Sequence, residues 1–266
     1  MNASLLDPKP AAVALRTRAH KFGGSSLADA GRIAHVAGLL LAGDEARQIT
    51  VVSAMQGVTN ALIALTQAAC AGREWRADWQ ALYQRHASTA AELVPEQGDS
   101  LQSWLTQEFG QLAGLLDAVA VLGSPGRPTL ERIQGLGEVW SARLLRAHLA
   151  ERGANYGLID ARDVLHVQPG ELGVAVDWPR SQAALAQWRV DHPQARCIAT
   201  GFVACGPDGL PTVLGRNGSD YSGAIFAALF EADELHIWTD VDGVLSADPR
   251  LVPEAVPLPA LSYREA

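Results

Sequence analysis

Four times along these 266 residues a short apolar run ends on a glycine- or hydroxyl-rich junction, and that repetition constrains the fold more than any other feature of the chain. The first run ends near Phe22 and opens into KFGGSS. The second, QITVVSA from Gln48 to Ala54, leads through VVSAMQGVTN into the helical pattern NALIALTQAACAG. The third, TVL, opens into GRNGSD and the helical SDYSGAIFAALFEA, and the fourth, ELHIW, opens into TDVDG. Short β-branched runs bounded by turn residues read as buried strands. Strands alternating with helices require a largely parallel sheet with helices on both faces. Ligands of such sheets bind beyond the carboxyl ends of the strands, so four such junctions predict one site on one sheet edge.

The rest of the chain fits around that frame. Residues 74–122 read as helical, with apolar spacings of three and four, and Trp75, Trp79 and Trp104 are expected in the core. GSPGRP breaks this block, and LERIQGLGEVWSARLLRAHLAERG predicts a second helix with Gly153 as its C-cap. YGLIDARDVLHV and CIATGFVAC read as strand-rich, SQAALAQWRV as a helix, and Gly206 to Gly209 as the turn of a hairpin. Ser219 or Asp220 is placed to cap the helix after GRNGSD.

Composition narrows the function classes. With 48% apolar and 19% charged residues the chain can bury a large core, and its net charge of −8 argues against a general nucleic-acid or membrane-surface binder. Cys70, Cys197 and Cys205 have neither metal-ligand nor disulfide spacing and suit a reducing, cytoplasmic setting. No run approaches the ~18 apolar residues of a membrane helix. Residues 1–18 are expected to form a flexible leader without signal-peptide character, ahead of one catalytic domain over 19–266.

The junctions carry the chemistry. Gly23, Gly24 and Ser25 let backbone N–H groups approach an anion before a helix starting near Asp29, with Lys21 as a point charge. KFGGSS alone is equally compatible with an ordinary tight turn. The chain has no G-x-x-x-x-G-K-[ST], no third glycine in GLGEVW for a dinucleotide fingerprint, and no H-R-D or D-F-G. In GRNGSD, Arg216 offers a planar fork for a carboxylate or phosphate, or is simply a surface arginine. In TDVDGVLSADPR, Thr239 and Asp240 end an apolar strand, where they can face a nucleotide or its metal, and the register does not match an EF-hand. Glu138 is either a first-turn partner of the helix dipole or a carboxylate for a substrate ammonium, and spacing leaves both open.

Taken in order, KFGGSS, VVSAMQGVTN, GEVWSARLL, TGFV, GRNGSDYS and WTDVDGVLSADPR resemble the catalytic domain of aspartokinases within the amino acid kinase family, especially the kinase half of bifunctional aspartokinase–homoserine dehydrogenases. The resemblance runs from about His20 to the end. It implies an α/β amino acid kinase fold: a mostly parallel central sheet sandwiched by helices in three layers, with a helical substrate lobe. It also implies transfer of the ATP γ-phosphoryl group to the β-carboxylate of L-aspartate, with Mg²⁺.

Carried over position by position, Lys21, Gly23, Gly24 and Ser25 would hold the phosphates, Lys21 and Asp220 acting in catalysis. Ser53, Thr59 and Ser219 would lie at the amino acid, with Glu138 on its α-ammonium and Arg216 on its α-carboxylate. Thr239, Asp240, Leu245 and Arg250 would line the ATP pocket, Leu245 standing where many relatives carry tyrosine. Relatives continue past LSYREA through a further helix and strand, ACT domains and sometimes a dehydrogenase, so a C-terminally short kinase domain is expected. Its uncovered sheet edge suits a homo-oligomer. Two alternatives stay open: a kinase of another small acid such as glutamate or acetylglutamate, and a nucleotide-binding pseudo-enzyme or assembly module.

Overall fold

The computed structural model describes residues 16–96, 98–171, 173–215, 217–240, 243–248, 251–262 and 264. Its elements run β1 (Thr17–Phe22), a 3-10 turn (Gly24–Leu27), α1 (Ala30–Ala42), β2 (Arg47–Val52), α2 (Val58–Cys70), α3 (Arg76–Leu93), α4 (Gly98–Leu122), α5 (Arg127–Gln134), α6 (Leu136–Glu151), β3 (Gly157–Ile159), α7 (Ala161–Val164), β4 (Val167–Gly170), β5 (Gly173–Val176), α8 (Trp178–Asp191), β6 (Arg196–Thr200), β7 (Val203–Cys205), β8 (Pro211–Val213), α9 (Gly218–Leu229) and β9 (Glu234–Trp238). Five strands form one sheet in the order β3-β6-β2-β1-β9, and every pair in it is parallel.

Strand β2 is central, and all its residues after Arg47 are buried. A strand covered on both faces has no polar side to alternate with, which is why it reads as a continuous apolar run. Its side chains divide between two cores. Val52 joins Phe22 and Ile198 under α1 and α6, while Ile49 and Val51 join Ala199, Ile225 and Phe226 under α9. Helices therefore cover both faces, and the three-layer α/β architecture is as expected.

Between β2 and β3 the chain makes a long helical excursion, α2 to α6, that forms the helical lobe. Phe109 of α4 stacks on Trp140 of α6 at 4.3 Å, and His86 of α3 meets Trp140 edge-on at 5.0 Å. His86 Nδ1 bonds the Leu82 carbonyl, and burial pushes its pKa down to about 4, so the ring sits neutral among aromatics. Trp75 is buried, and Trp79 and Trp104 are partly buried against the same core, as their spacing predicts.

The structure departs from the sequence reading at identifiable points. The helical block over 74–122 is two helices, because Pro95 disfavours helical backbone at Val94. The next helix is likewise divided, at Gly135, into α5 and α6, and Gly153 follows α6 with φ +79° as a terminating glycine. CIATGFVAC is two strands, separated at Gly201 and Phe202. β7 and β8 form the expected hairpin, but that hairpin is a separate antiparallel pair. GRNGSD thus follows a strand outside the main sheet, contrary to expectation. Helix α9 begins at Gly218 with Asn217 in the left-handed region, and neither Ser219 nor Asp220 caps it. Among the described residues no helix is long and apolar enough to cross a membrane.

Because Phe109 is fully buried and stacked at the centre of the lobe, Phe109→Ala is expected to destabilise the protein by about 3–5 kcal/mol in urea unfolding. A loss below about 1 kcal/mol would show that the lobe is not packed around this ring.

Candidate functional site

A cleft of about 340 Å³ opens at the carboxyl ends of the central strands. One wall is the loop after β2 with the start of α2, Ser53 to Asn60, and beside it lies Gly24 from the turn after β1. Glu138 of α6 and Phe202 form further walls, and Gly215, Asn217, Gly218 and Ser219 close it.

Close backbone approach shapes this space. A Cβ on Gly24 would stand 3.0 Å from the Ala54 carbonyl oxygen, so a side chain here would crowd the two loops where they meet. A Cβ on Gly137 would fall 2.7 Å from Ala54 Cβ and 2.9 Å from Val58 Cγ1. The absent side chain at Gly137 lets the first turn of α6 press onto the β2–α2 loop and carries Glu138 into the cleft wall. Ser141, one turn on, donates its hydroxyl to the Ser53 carbonyl and fixes the same contact from below.

Glu138 is 4% exposed, and its Oε2 has no hydrogen-bond partner. Burial pushes its pKa up to about 8, against a smaller opposing effect of the Ala54 and Glu138 backbone amides. A carboxyl that is buried, unpartnered and on a cleft wall is arranged to receive a cation, since a charged partner would recover what desolvation costs. The first-turn dipole reading does not account for that missing partner.

Lys21, at the end of β1, is 6% exposed and its Nζ lies 2.6 Å from Asp220 Oδ1 on α9, whose side chain is about half exposed. The stem of Lys21 packs against Gly223 one turn along α9. The amine thus sits beside Gly23, between the turn after β1 and the first turn of α9.

The turn after β1 differs from the expected helix-terminal cradle. Asp29 caps α1 itself, its carboxylate accepting from the Arg32 amide at 2.8 Å, so the end of α1 is already occupied by an anion. What stands at the strand end is the 3-10 turn with Gly23, Gly24 and Ser25.

Of the predicted residues, Gly24, Ser53, Thr59, Glu138 and Ser219 share the cleft wall, and Lys21 and Asp220 pair next to it in the chain. Thr239, Asp240 and Leu245 do not line the cleft, so the four junctions do not form one continuous wall. Thr239 and Asp240 are exposed beyond β9, Thr239 donating to Asp240 at 3.2 Å, and half-buried Leu245 bridges to Pro257. The two regions are joined through backbone, the Gly23 amide donating to the Trp238 carbonyl. Arg216 and Arg250 lie outside the described residues. Among the described residues no group of three or more His, Cys, Asp or Glu is placed to hold a metal.

Of the wall residues that the sequence reading did not single out, two that are not glycine have left-handed backbone. Phe202 has φ +66°, unusual for an aromatic residue and typical of strained backbone at functional sites. Its amide is held by Ser222 Oγ and its carbonyl by the Leu214 amide. Asn217 has φ +57°, and its Asn-Gly dipeptide was a readable signal for such a turn.

The Glu138 geometry has a consequence for stability. A carboxyl with pKa near 8 folded and about 4.5 unfolded binds its proton more tightly in the folded state, so it lowers stability as pH rises from about 4.5 to about 8. Glu138→Gln is therefore expected to raise Tm relative to the native chain more at pH 8.5 than at pH 5. An equal difference at both pH values would mean that the carboxyl is not held neutral.

Comparison with known proteins agrees with this architecture. The amino acid kinase family profile matches residues 16–266. The chain is 39% identical over 252 residues to a chloroplastic bifunctional aspartokinase/homoserine dehydrogenase of Arabidopsis thaliana, a match that covers 93% of this chain and 27% of that relative. Crystal structures of E. coli aspartokinase III superpose with TM-scores of 0.78, in complex with lysine and aspartate, and 0.77, in complex with aspartate and ADP. These are 26% and 27% identical and are matched over 92% and 91% of this chain and 54% and 53% of theirs. This chain thus spans between about a quarter and a half of the proteins it resembles, and within that span it belongs to the amino acid kinase family.

Proposed function

We propose that this chain is an aspartate kinase domain, transferring the γ-phosphoryl group of ATP to the β-carboxylate of L-aspartate to give 4-phospho-L-aspartate and ADP. The observation that carries the reading is Glu138, a buried carboxyl with one oxygen unpartnered, facing a cleft large enough for a small amino acid. Its ionised form would hold the α-ammonium, with Ser53, Thr59 and Ser219 around the bound molecule and Arg216 on the α-carboxylate. The names of the relatives, and the aspartate and ADP bound to E. coli aspartokinase III, support the same assignment.

In this reading the nucleotide lies along the adjoining strand ends, its phosphates at Gly23, Gly24 and Ser25 and the remainder toward Thr239, Asp240, Leu245 and Arg250. The β-carboxylate oxygen attacks the γ-phosphorus, the bond from that phosphorus to the bridging oxygen breaks, and ADP leaves. No general base is needed, because the acceptor is already a carboxylate. What the chain must supply is alignment and positive charge. Lys21 supplies the charge, and Asp220, half exposed with its carboxylate 2.6 Å away, fixes where the amine points. Mg²⁺ fits a donor set this sparse, since it binds ATP chiefly through the phosphates with one or two protein carboxylates. Among the described residues Asp220 and Asp240 are carboxylates at these strand ends that could hold the ion, which would neutralise phosphate charge.

An ADP-release assay across L-aspartate, L-glutamate and N-acetyl-L-glutamate tests the assignment. Aspartate is expected to be preferred, and the N-acetylated acid, which cannot satisfy Glu138, to be poorer by roughly 10³-fold or more in kcat/KM. Equal turnover of the three would overturn it. Lys21→Ala is expected to lower kcat by about 10²–10³-fold while ATP affinity measured by calorimetry changes much less. Equal losses in both would assign Lys21 to nucleotide binding alone.

A further inference from the structure

We infer that Arg85, on the helical lobe and outside the cleft wall, is a positioning residue that sets the spacing between the two loops on which phosphoryl donor and acceptor would rest. Its guanidinium donates from Nη2 to the Ala28 carbonyl at 2.8 Å and from Nη1 to the Gln56 carbonyl at 2.9 Å. Ala28 ends the 3-10 turn after β1, and Gln56 lies in the loop after β2, just before the left-handed Gly57 that starts α2. One planar side chain thus bridges two junctions that follow neighbouring strands.

The carbonyls it holds are the groups that such junctions leave without partners, because a carbonyl ahead of a helix start does not join the helix's own ladder. The two loops touch where Gly24 meets the Ala54 carbonyl and the Gln56 backbone. Among the described residues no hydrogen bond joins Gly24 to Ala54 or Gln56, and a side chain on Gly24 would crowd both. The two junctions are tied at their base, where the Ser53 amide donates to the Phe22 carbonyl at 3.1 Å, and Arg85 adds a second tie further out along the loops. Among the described residues no carboxylate forms an ion pair with Arg85, so its donors go to backbone and its charge stands unneutralised near the proposed phosphate turn. Its own backbone is pinned in α3, the Arg85 carbonyl accepting from Thr89 Oγ1.

Two parallel N–H groups of a rigid fork can serve both carbonyls at once, whereas a lysine ammonium on a flexible stem is a single point with no fixed fork. Removing the fork should therefore unfasten both loops together while leaving the core and the individual binding groups in place. This inference rests on the kinase reading for its effect on turnover, and on geometry alone for its effect on the loops.

The test uses the 266-residue chain with Arg85→Lys and Arg85→Ala. Hydrogen–deuterium exchange is read over residues 23–29 and 53–59, together with kcat, KM and direct ATP affinity. In both variants faster amide exchange is expected in the two segments together, with the β2 and β6 strands unchanged. For Arg85→Ala, kcat for aspartate phosphorylation is expected to fall by about 10–100-fold, the scale of an ångström-level misplacement, with ATP affinity within about threefold. Added guanidinium is expected to restore part of that loss, and Arg85→Lys to fall between Arg85→Ala and the native chain. Full activity and native exchange in Arg85→Lys would overturn the inference, as would faster exchange across the whole chain or in one loop only. Should the unsubstituted chain phosphorylate nothing, the proposed function fails, and the exchange measurement still decides whether Arg85 couples the two loops.

Discussion

The site depends on the contact between the first turn of α6 and the loop after β2. Gly137 permits an approach that any side chain would block, and the Ser141–Ser53 hydrogen bond secures it. Two consequences follow from the same contact. The loop residues Ser53 to Asn60 become a cleft wall, and Glu138 is drawn out of water without being given a partner for Oε2. Burial of that kind works against folding, and the sheet and aromatic lobe must offset it. Such a group persists where a ligand completes it.

The two buried ionisable groups of the proposed site, Lys21 and Glu138, are treated in opposite ways. Lys21 is buried but paired, its amine within 2.6 Å of a carboxylate. Glu138 is buried and unpaired, and burial holds it protonated near neutral pH. A fixed positive charge suits a phosphoryl group, whose charge is present throughout the transfer. A carboxyl that ionises only when an ammonium arrives suits recognition, because neutral or N-acylated molecules leave it uncompensated.

Much of this was legible in the sequence because parallel strands buried on both faces cannot hide their apolar character. QITVVSA and ELHIW could be placed on a parallel sheet, and the junctions after them on one edge, from composition of the runs alone. Asn217–Gly218 and Gly153 were visible as turn chemistry. The remainder depended on contacts between residues far apart in the chain. No local pattern around Glu138 separates a dipole partner from an orphaned carboxyl, since the difference is the packing of Gly137 on Ala54 and Val58. Phe202 gives no local warning of its left-handed backbone, which is imposed by bonds to Ser222 and Leu214. The cap expected from Ser219 or Asp220 failed because Asn217 takes the turn and Asp220 is engaged with Lys21. The fourth junction stands apart from the cleft, whose remaining lining comes from Phe202 before the hairpin and from Gly215, Asn217, Gly218 and Ser219 after it, not from the end of β9.

The central claim is that Glu138 waits protonated and ionises on receiving an ammonium. Calorimetric titration of L-aspartate at pH 7 in buffers of different ionisation enthalpy counts the protons exchanged on binding. With the Glu138 pKa near 8, the account predicts release of about one proton per molecule bound, abolished in Glu138→Gln. Binding of aspartate by the native chain with no proton released would contradict it.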